Sequence, residues 1–442
     1  MKFKQVRIFS NTKKKSENHT SALHSPFSTL RSQLFERFAR AILTLSGGVT
    51  SLAILLIIIF LFKEGVGLFK SPATEKGYAL CVHASNAIEH LTPYQIKHIF
   101  DEEITEWITE NGKLKTDNHS PFSTLHSPLA IMPFRFEEVF SLYSEEEFGE
   151  DYEFLADKLG EVIAQNPGII AYIPEEYLPK ENLDVKILPS ENIHILDFFG
   201  GRDWLPTSTP SPQFGVLPLI MGTLWVSIFA ILIALPLGLG VAIYLAELAN
   251  ERVRRFLKPT IELLAGIPSV VYGFFGLVVI VPLIQRVFDL PVGETAFAGS
   301  LILAIMALPT IITVAEDSMR NTPRTMHEAS LALGATQWQT IYKVIIPYSF
   351  SGISTAVVLG IGRAIGETMA VLMVTGNAAV MPNSLFQPVR TIPATIAAEL
   401  GEAPAGGAHY QSLFLLGCIL FVITMIISIS AEAISKRQRV ES

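Results

Sequence analysis

Six stretches of this chain each approach or exceed the roughly 20 residues that a helix needs to cross the apolar core of a bilayer. They lie at 41–62, 216–244, 261–284, 296–315, 353–375 and 410–430. Backbone in lipid must satisfy its own N–H and C=O groups, so each run predicts a helix and the chain reads as an all-α polytopic membrane protein. Composition agrees: 50% of the 442 residues are hydrophobic and 17% are charged. An ordinary soluble domain has about 25% charged residues.

The formal net charge of −8 hides two opposed parts. Residues 64–213 carry 26 acidic and 10 basic side chains, net −16, which leaves +8 for the remainder. Lys and Arg in short loops stay on the cytoplasmic side. Nine bases lie in residues 1–40, and further ones are Arg252, Arg254, Arg255 and Lys258, then Arg320, Arg324 and Lys343, then Lys436, Arg437 and Arg439. The alternate short loops hold Arg286 and Arg390 alone. Both termini are therefore expected in the cytoplasm and the acidic segment outside.

The expected organisation is a basic, largely disordered tail at 1–40, a first span at 41–62, an acidic extracytoplasmic insert with its linker at 63–213, a membrane core at 214–431 and a second cytoplasmic tail at 432–442. The bases of the first tail hold that end in the cytoplasm and offer contact to anionic membrane lipid. A long polar segment before the first apolar run argues against a cleaved signal peptide.

Cys81 and Cys418 fall in different compartments, which excludes a disulfide framework or a cysteine metal cluster. No G-x-x-x-x-G-K-[ST] loop occurs, so no cofactor is expected in this chain, and any ATP and Mg must sit on a partner. Nothing points to nucleic acid. His83, His90 and His98 match no metal-ligand spacing and read as solvated surface.

Within the acidic segment, strand-like pieces at 78–82, 129–132, 168–173 and 185–188 alternate with helical ones at 92–100, 137–143 and 152–165, a small α/β module between the first and second spans. Helix starts are expected at Thr92, followed by Pro93, and at Ser144 before Glu145. Gly, Pro, Ser and Thr at 198–212 read as a linker. The segment His-Ser-Pro-Phe-Ser-Thr-Leu occurs at both 24–30 and 119–125; both copies read as surface loop, and no function attaches to them.

Between the fourth and fifth spans, the loop 316–347 contains Glu328-Ala329-Ser330-Leu331-Ala332-Leu333-Gly334, nine residues, and then Val344-Ile345-Ile346-Pro347. Glu328 near a helix start suits the positive dipole end, the alanines leave a small face, and Gly334 permits a turn. Leu331, Leu333, Trp338 and Ile341 supply apolar contact for a groove on another protein. The stretch resembles the E-A-A-x-x-x-G-x9-I-x-L-P loop of bacterial ABC importer permeases, with Ser330 at an Ala and Val344 at an Ile. Residues 262–277 and 360–370 are similar to the phosphate-specific members of that family.

The resemblance implies the type I importer permease fold in a bacterial inner membrane, a homologous second permease, two cytoplasmic ABC ATPases, an extracytoplasmic phosphate-binding protein and inorganic phosphate as cargo. It assigns ATPase coupling to Glu328, Ala329, Ser330, Gly334 and Pro347. Arg363 and Glu367 stand four apart in the fifth apolar run, which puts them on one helix face. A charge at membrane depth marks a transport path, and a guanidinium fork suits phosphate. Glu367 is expected to pair with Arg363 and loosen its grip. Gly362 and Gly366 are expected to pack against another helix.

Residues 91–107, 129–140 and 166–174 resemble parts of the phosphate-binding proteins. The stretch 133–140 has no Ser/Gly/Thr-rich phosphate loop, and −16 repels an anion, so the insert reads as a degenerate half-domain that docks the binding protein or shields the pore mouth. The alternatives are a permease for another oxyanion, or a membrane sensor or enzyme that uses the outer domain.

Overall fold

The computed structural model describes residues 26–72, 74–107, 109–110, 113–114, 129–179 and 184–441. The tail to residue 25 and the second copy of the heptapeptide lie outside the described residues. Helix α1, Pro26–Val66, starts on a proline, whose fixed φ suits a first helical turn. Residues 26–40, expected as tail, therefore belong to the helix of the first span.

The outer module is built on strands β1 (Tyr78–His83), β2 (Met132–Arg135), β3 (Ile169–Pro174) and β4 (Val185–Leu188). Their order in the sheet is β2-β3-β1-β4, with β2 parallel to β3 and β1 antiparallel to both neighbours. Alternation along β1 sends Leu80 and Val82 to one face and Cys81 to the other. The first face packs Ile96 and Ile99 of α2 (Pro93–Phe100), and the second packs Leu159 and Ile163 of α3 (Leu155–Gln165). Thr92 caps α2 in a reciprocal box with Gln95, and Pro93 opens it.

Three details differ from the sequence pattern. The helix expected from residue 152 starts at Leu155, because Asp151 and Tyr152 take positive φ of 58° and 60°. The helix expected at 137–143 shrinks to Val139–Leu142 behind one 3₁₀ turn. The stretch 198–212 is no loose tether. Helix α4 (Ile195–Gly200) leads into the hairpin of β5 (Trp204–Leu205) and β6 (Gln213–Phe214), and Trp204 is 2% exposed.

Six helices among the described residues are long and apolar enough to cross a membrane. The second is α5 (Leu217–Ile243), prolonged by a wide turn over Tyr244–Leu248. The third begins later than expected: residues 261–265 end the amphipathic α6 (Glu251–Ala265), Gly266–Pro268 break the chain, and the span is α7 (Ser269–Phe275) continuing through a wide turn into α8 (Val281–Val287). Isoleucine and leucine on the apolar stripe of α6 merge with the true span in any count of hydrophobic residues.

The fourth span, α9 (Ala296–Arg320), is the most enclosed. Gly238 of α5 and Gly360 of the fifth span both approach Ile311, so closely that a Cβ on either would stand 2.9 or 2.8 Å from that side chain. Small residues at these crossings let three helices meet around one isoleucine. After α9 come α10 (Arg324–Ala332) and α11 (Gln337–Thr340), then a wide turn into α12 (Ile346–Gly366). The fifth span therefore stops at Gly366, nine residues before its expected end, and the short α13 (Met369–Val374) follows the break. Helix α14 (Ile392–Glu399) precedes the last helix α15 (Ala408–Glu441).

Candidate functional site

Arg363 lies in the last turn of α12. Ile353, Ala356, Gly360 and Ala364 form the buried stripe of this helix, while Thr355, Leu359, Gly362 and Gly366 form an open one. Half-buried Arg363 sits at the edge of the open stripe, four residues after Leu359. It makes no hydrogen bond or ion pair with the described residues. The expected pair with Glu367 is absent: the helix ends between them, and Glu367 has extended backbone (φ −72°, ψ 131°). Its carboxylate instead accepts from the N–H of Ala370, at 3.4 Å, in the first turn of α13. A Cβ added at Gly362 or Gly366 would meet nothing within 4 Å, so among the described residues the two glycines contact no helix of this chain and leave open space beside Arg363. Such an arginine cannot be left facing lipid alone; it needs an aqueous path, a ligand or another chain.

The hairpin of α10 and α11 is formed by local chemistry. Gly334 takes φ +86°, its N–H bonds to the Leu331 carbonyl, and the Ala335 N–H reaches back to the Ser330 carbonyl. This is the Schellman closure of a helix, which favours glycine because a Cβ is unfavourable at positive φ. Thr336 then caps α11 in a reciprocal box with Gln339, and Ser330 Oγ meets Thr340 Oγ1 at 2.9 Å across the turn. Glu328 and Ala329 are exposed on α10. Glu328 is the fifth residue of the helix, beyond its first turn, so the expected dipole contact at a helix start is weak there. Pro347 is the second residue of α12, directly after the wide turn over Ile341–Ile345.

Leu333 is 89% exposed and Trp338 60% exposed, an apolar tip on the surface of the chain, and Met326 and Leu331 are exposed on α10 as well. Ile341, expected among the contact residues, is fully buried in the bundle instead. The base of the hairpin is fastened: Gln337 Nε2 donates to the Glu247 carbonyl at 3.1 Å, and His327 Nε2 lies 3.6 Å from the Glu247 carboxylate. Ser318 and Ser349 exchange hydroxyl-to-carbonyl bonds of 3.2 and 3.3 Å, which tie α9 to α12.

Two ionic clusters escape a sequence reading. Glu316, 1% exposed, accepts from Arg254 Nε at 2.9 Å and lies 3.1 Å from Lys258 Nζ, so it bolts the basic α6 to α9. A signal for it exists: an acid just past an apolar run, opposite a short loop with four bases. The second cluster has no local signal. Glu399 takes the indole N–H of Trp204 at 3.0 Å, lies 2.9 Å from His409 Nε2, and pairs with Arg390, whose Nε donates to Asn377 Oδ1 at 2.9 Å. Burial pushes the Glu399 carboxyl up, but hydrogen bonds from His409 and Trp204 and the Arg390 charge outweigh it and hold the group below the usual carboxylate range.

In the outer module, the three histidines have separate partners: His83 with Ser85, His90 with Glu191 and His98 with Glu103. Arg135, in the stretch 133–140, lies over the Phe100 ring at 5.5 Å and donates to Thr209 Oγ1 at 3.3 Å.

The family model described as "Binding-protein-dependent transport system inner membrane component" matches residues 234–440. The probable ABC transporter permease protein YqgH of Bacillus subtilis is 42% identical over 245 residues, 55% of this chain and 79% of that protein. The phosphate transport system permease protein PstC of Pasteurella multocida is 40% identical over 264 residues, 55% of this chain and 81% of that protein. Its namesake in Mesorhizobium japonicum is 42% identical over 249 residues, 52% and 75% of the two chains. Among solved structures, a chain of the MetNI methionine ABC transporter superposes with a TM-score of 0.39 at 19% identity, over 51% of this chain and 94% of that one.

Proposed function

This chain belongs to the phosphate transport permease family of binding-protein-dependent inner membrane components, and from that premise we propose which of its residues carry the cargo and which take up the drive. The protein is the inner-membrane permease of a phosphate ABC importer, a multi-pass transport subunit rather than an enzyme. Arg363 is the residue that meets the anion. The observation that carries this is its position: a guanidinium at the edge of the open stripe of α12, with no bonded partner among the described residues and with Gly362 and Gly366 leaving space beside it. Phosphate near neutral pH carries one or two negative charges, and a planar fork of N–H donors can hold two of its oxygens. Glu367 acts one step away, holding the start of α13 rather than Arg363 itself.

The apolar tip of the α10–α11 hairpin is the seat for a cytoplasmic ATPase, with two such subunits and a second, homologous permease completing the transporter. The open stripe of α12 is where the second permease closes the other half of the path. A phosphate-binding protein delivers the ion to the outer face, with both termini of this chain in the cytoplasm and 63–213 outside. The acidic outer module docks or screens that delivery; its one arginine in the stretch 133–140 is already engaged with Phe100 and Thr209.

The test is uptake of labelled phosphate in cells that depend on this chain, comparing wild type with Arg363→Gln at matched membrane abundance. Loss of uptake supports the reading; wild-type rates in the variant would remove Arg363 from the path.

A further inference from the structure

The cluster around Glu399 joins the outer module to the bundle. On its outer side, Gln213 of β6 donates through Nε2 to the carbonyl of Pro93 at 2.9 Å, in the first turn of α2. Strand β6 pairs with β5, where Phe214 stands opposite Trp204, and Trp204 reaches Glu399. On the inner side Glu399 holds Arg390. The next residue back, Val389, donates its N–H to the Thr375 carbonyl at 2.9 Å, at the end of α13. Trp204, Val389 and Thr375 are each 2% exposed or less.

Helix α13 starts two residues after Glu367, where the fifth span breaks. A run of buried and part-buried bonds, joined through short backbone links, therefore connects a helix of the outer module with Thr375, at the end of the helix that follows Glu367. Arg390 and Glu399 lie within the stretch that matches the family, whereas Trp204 and the module lie before it. A carboxylate that holds three donors from three parts of the chain has little freedom to shift without moving them.

We propose that Glu399 is a positioning residue that fastens the outer module to α13, so that the orientation of the module sets the position of the backbone after Glu367. The transport consequence rests on the phosphate-permease reading; the fastening does not.

Two measurements on the full chain in lipid nanodiscs and in cells separate them. Nitroxides at Ser141→Cys in the module and Asn383→Cys in the segment after α13, both exposed positions, report a distance distribution. Native Cys81 and Cys418 are buried and stay unlabelled. Trp204→Phe keeps an aromatic ring, though a smaller one, and removes the N–H, and Glu399→Gln removes the charge. In both, the width of the distribution is expected to at least double, and the maximal rate of phosphate uptake to fall about fivefold or more with KM within about twofold. If Glu399→Gln does not accumulate, Trp204→Phe decides. An unchanged width overturns the proposal, and so does a doubled width with uptake within twofold of wild type. Absence of phosphate uptake in wild type would overturn the cargo assignment alone, and the distance measurement would still decide the fastening.

Discussion

Arg363 and Glu367 stand four residues apart, yet a helix end separates them: the first lies in the last turn of α12 and the second is extended chain that holds the N–H of Ala370. Two charges that share a face in an unbroken helix are here given separate work. One is left to a ligand or a partner, and the other is bound to the start of the next helix.

Uptake should therefore respond unequally to the two. Arg363→Gln is expected to lower phosphate uptake at least tenfold, and Arg363→Lys to restore only part of it, because an ammonium keeps the charge but loses the planar fork. Glu367→Gln should retain a third or more of the wild-type rate, since an amide oxygen can still accept from Ala370. Equal loss in both single variants would mean that they act as a pair after all.

At the hairpin, Gly334→Ala places a Cβ at φ +86°, a left-handed conformation that costs about 1–2 kcal/mol. The turn between α10 and α11 should loosen while the spans remain intact. Membrane abundance is expected to stay within twofold of wild type while uptake and the yield of co-purified ATPase both fall at least fivefold. Trp338→Ala, at a 60% exposed position, should lower the same two quantities without changing thermal stability.

Glu316→Leu removes the carboxylate that holds Arg254 and Lys258 and leaves the Arg254 charge against a largely buried surface, while Lys258 keeps Asp317. Breaking a buried pair by deleting one partner costs about 3–5 kcal/mol. The melting temperature in detergent should drop by several degrees, more than for Asp317→Asn, whose side chain is largely exposed.

Acid should act through Glu399. Its carboxyl pKa is lower in the folded chain than its ordinary 4.5, so its stabilising contribution is complete above about pH 4.5 and is lost as pH falls through the folded value. The fluorescence of Trp204, taken as the difference between wild type and Trp204→Phe, should be flat from neutral pH to about 5 and change below 4.5. A transition centred near neutrality would assign the response to a different group.

Burial pushes the Cys81 thiol up to about 12, so at pH 8 the nucleophilic thiolate is scarce and enclosed. Alkylation of Cys81 in the native protein should be undetectable over hours and become rapid in denaturant. Fast labelling of the folded chain would show that the sheet of the outer module opens.

The spans are legible in the sequence because lipid imposes a length and a polarity that no side-chain detail can override. The outer strands are legible as short apolar runs, of which β3 is buried at every position, and the hairpin through Gly334, whose turn is a matter of local backbone sterics. Helix ends inside apolar stretches are not. Nothing in the hydrophobicity of residues 353–375 marks the stop at Gly366, and the apolar face of α6 runs on into the third span although the backbone breaks at Gly266–Pro268. Long-range partners are beyond reach for a different reason: Trp204 and Glu399 are 195 residues apart, and neither has a neighbour that announces the other.

The hairpin is fastened at its base to the wide turn after α5 through Gln337, and α9 is tied to α12 by the exchanged serine bonds. In mechanical terms it is a handle without a hinge of its own. A displacement imposed at Leu333 and Trp338 cannot be absorbed by a slack loop, so it arrives at the helices with its amplitude largely preserved. The chain supplies stiffness, and the timing of each opening belongs to whatever grips the handle.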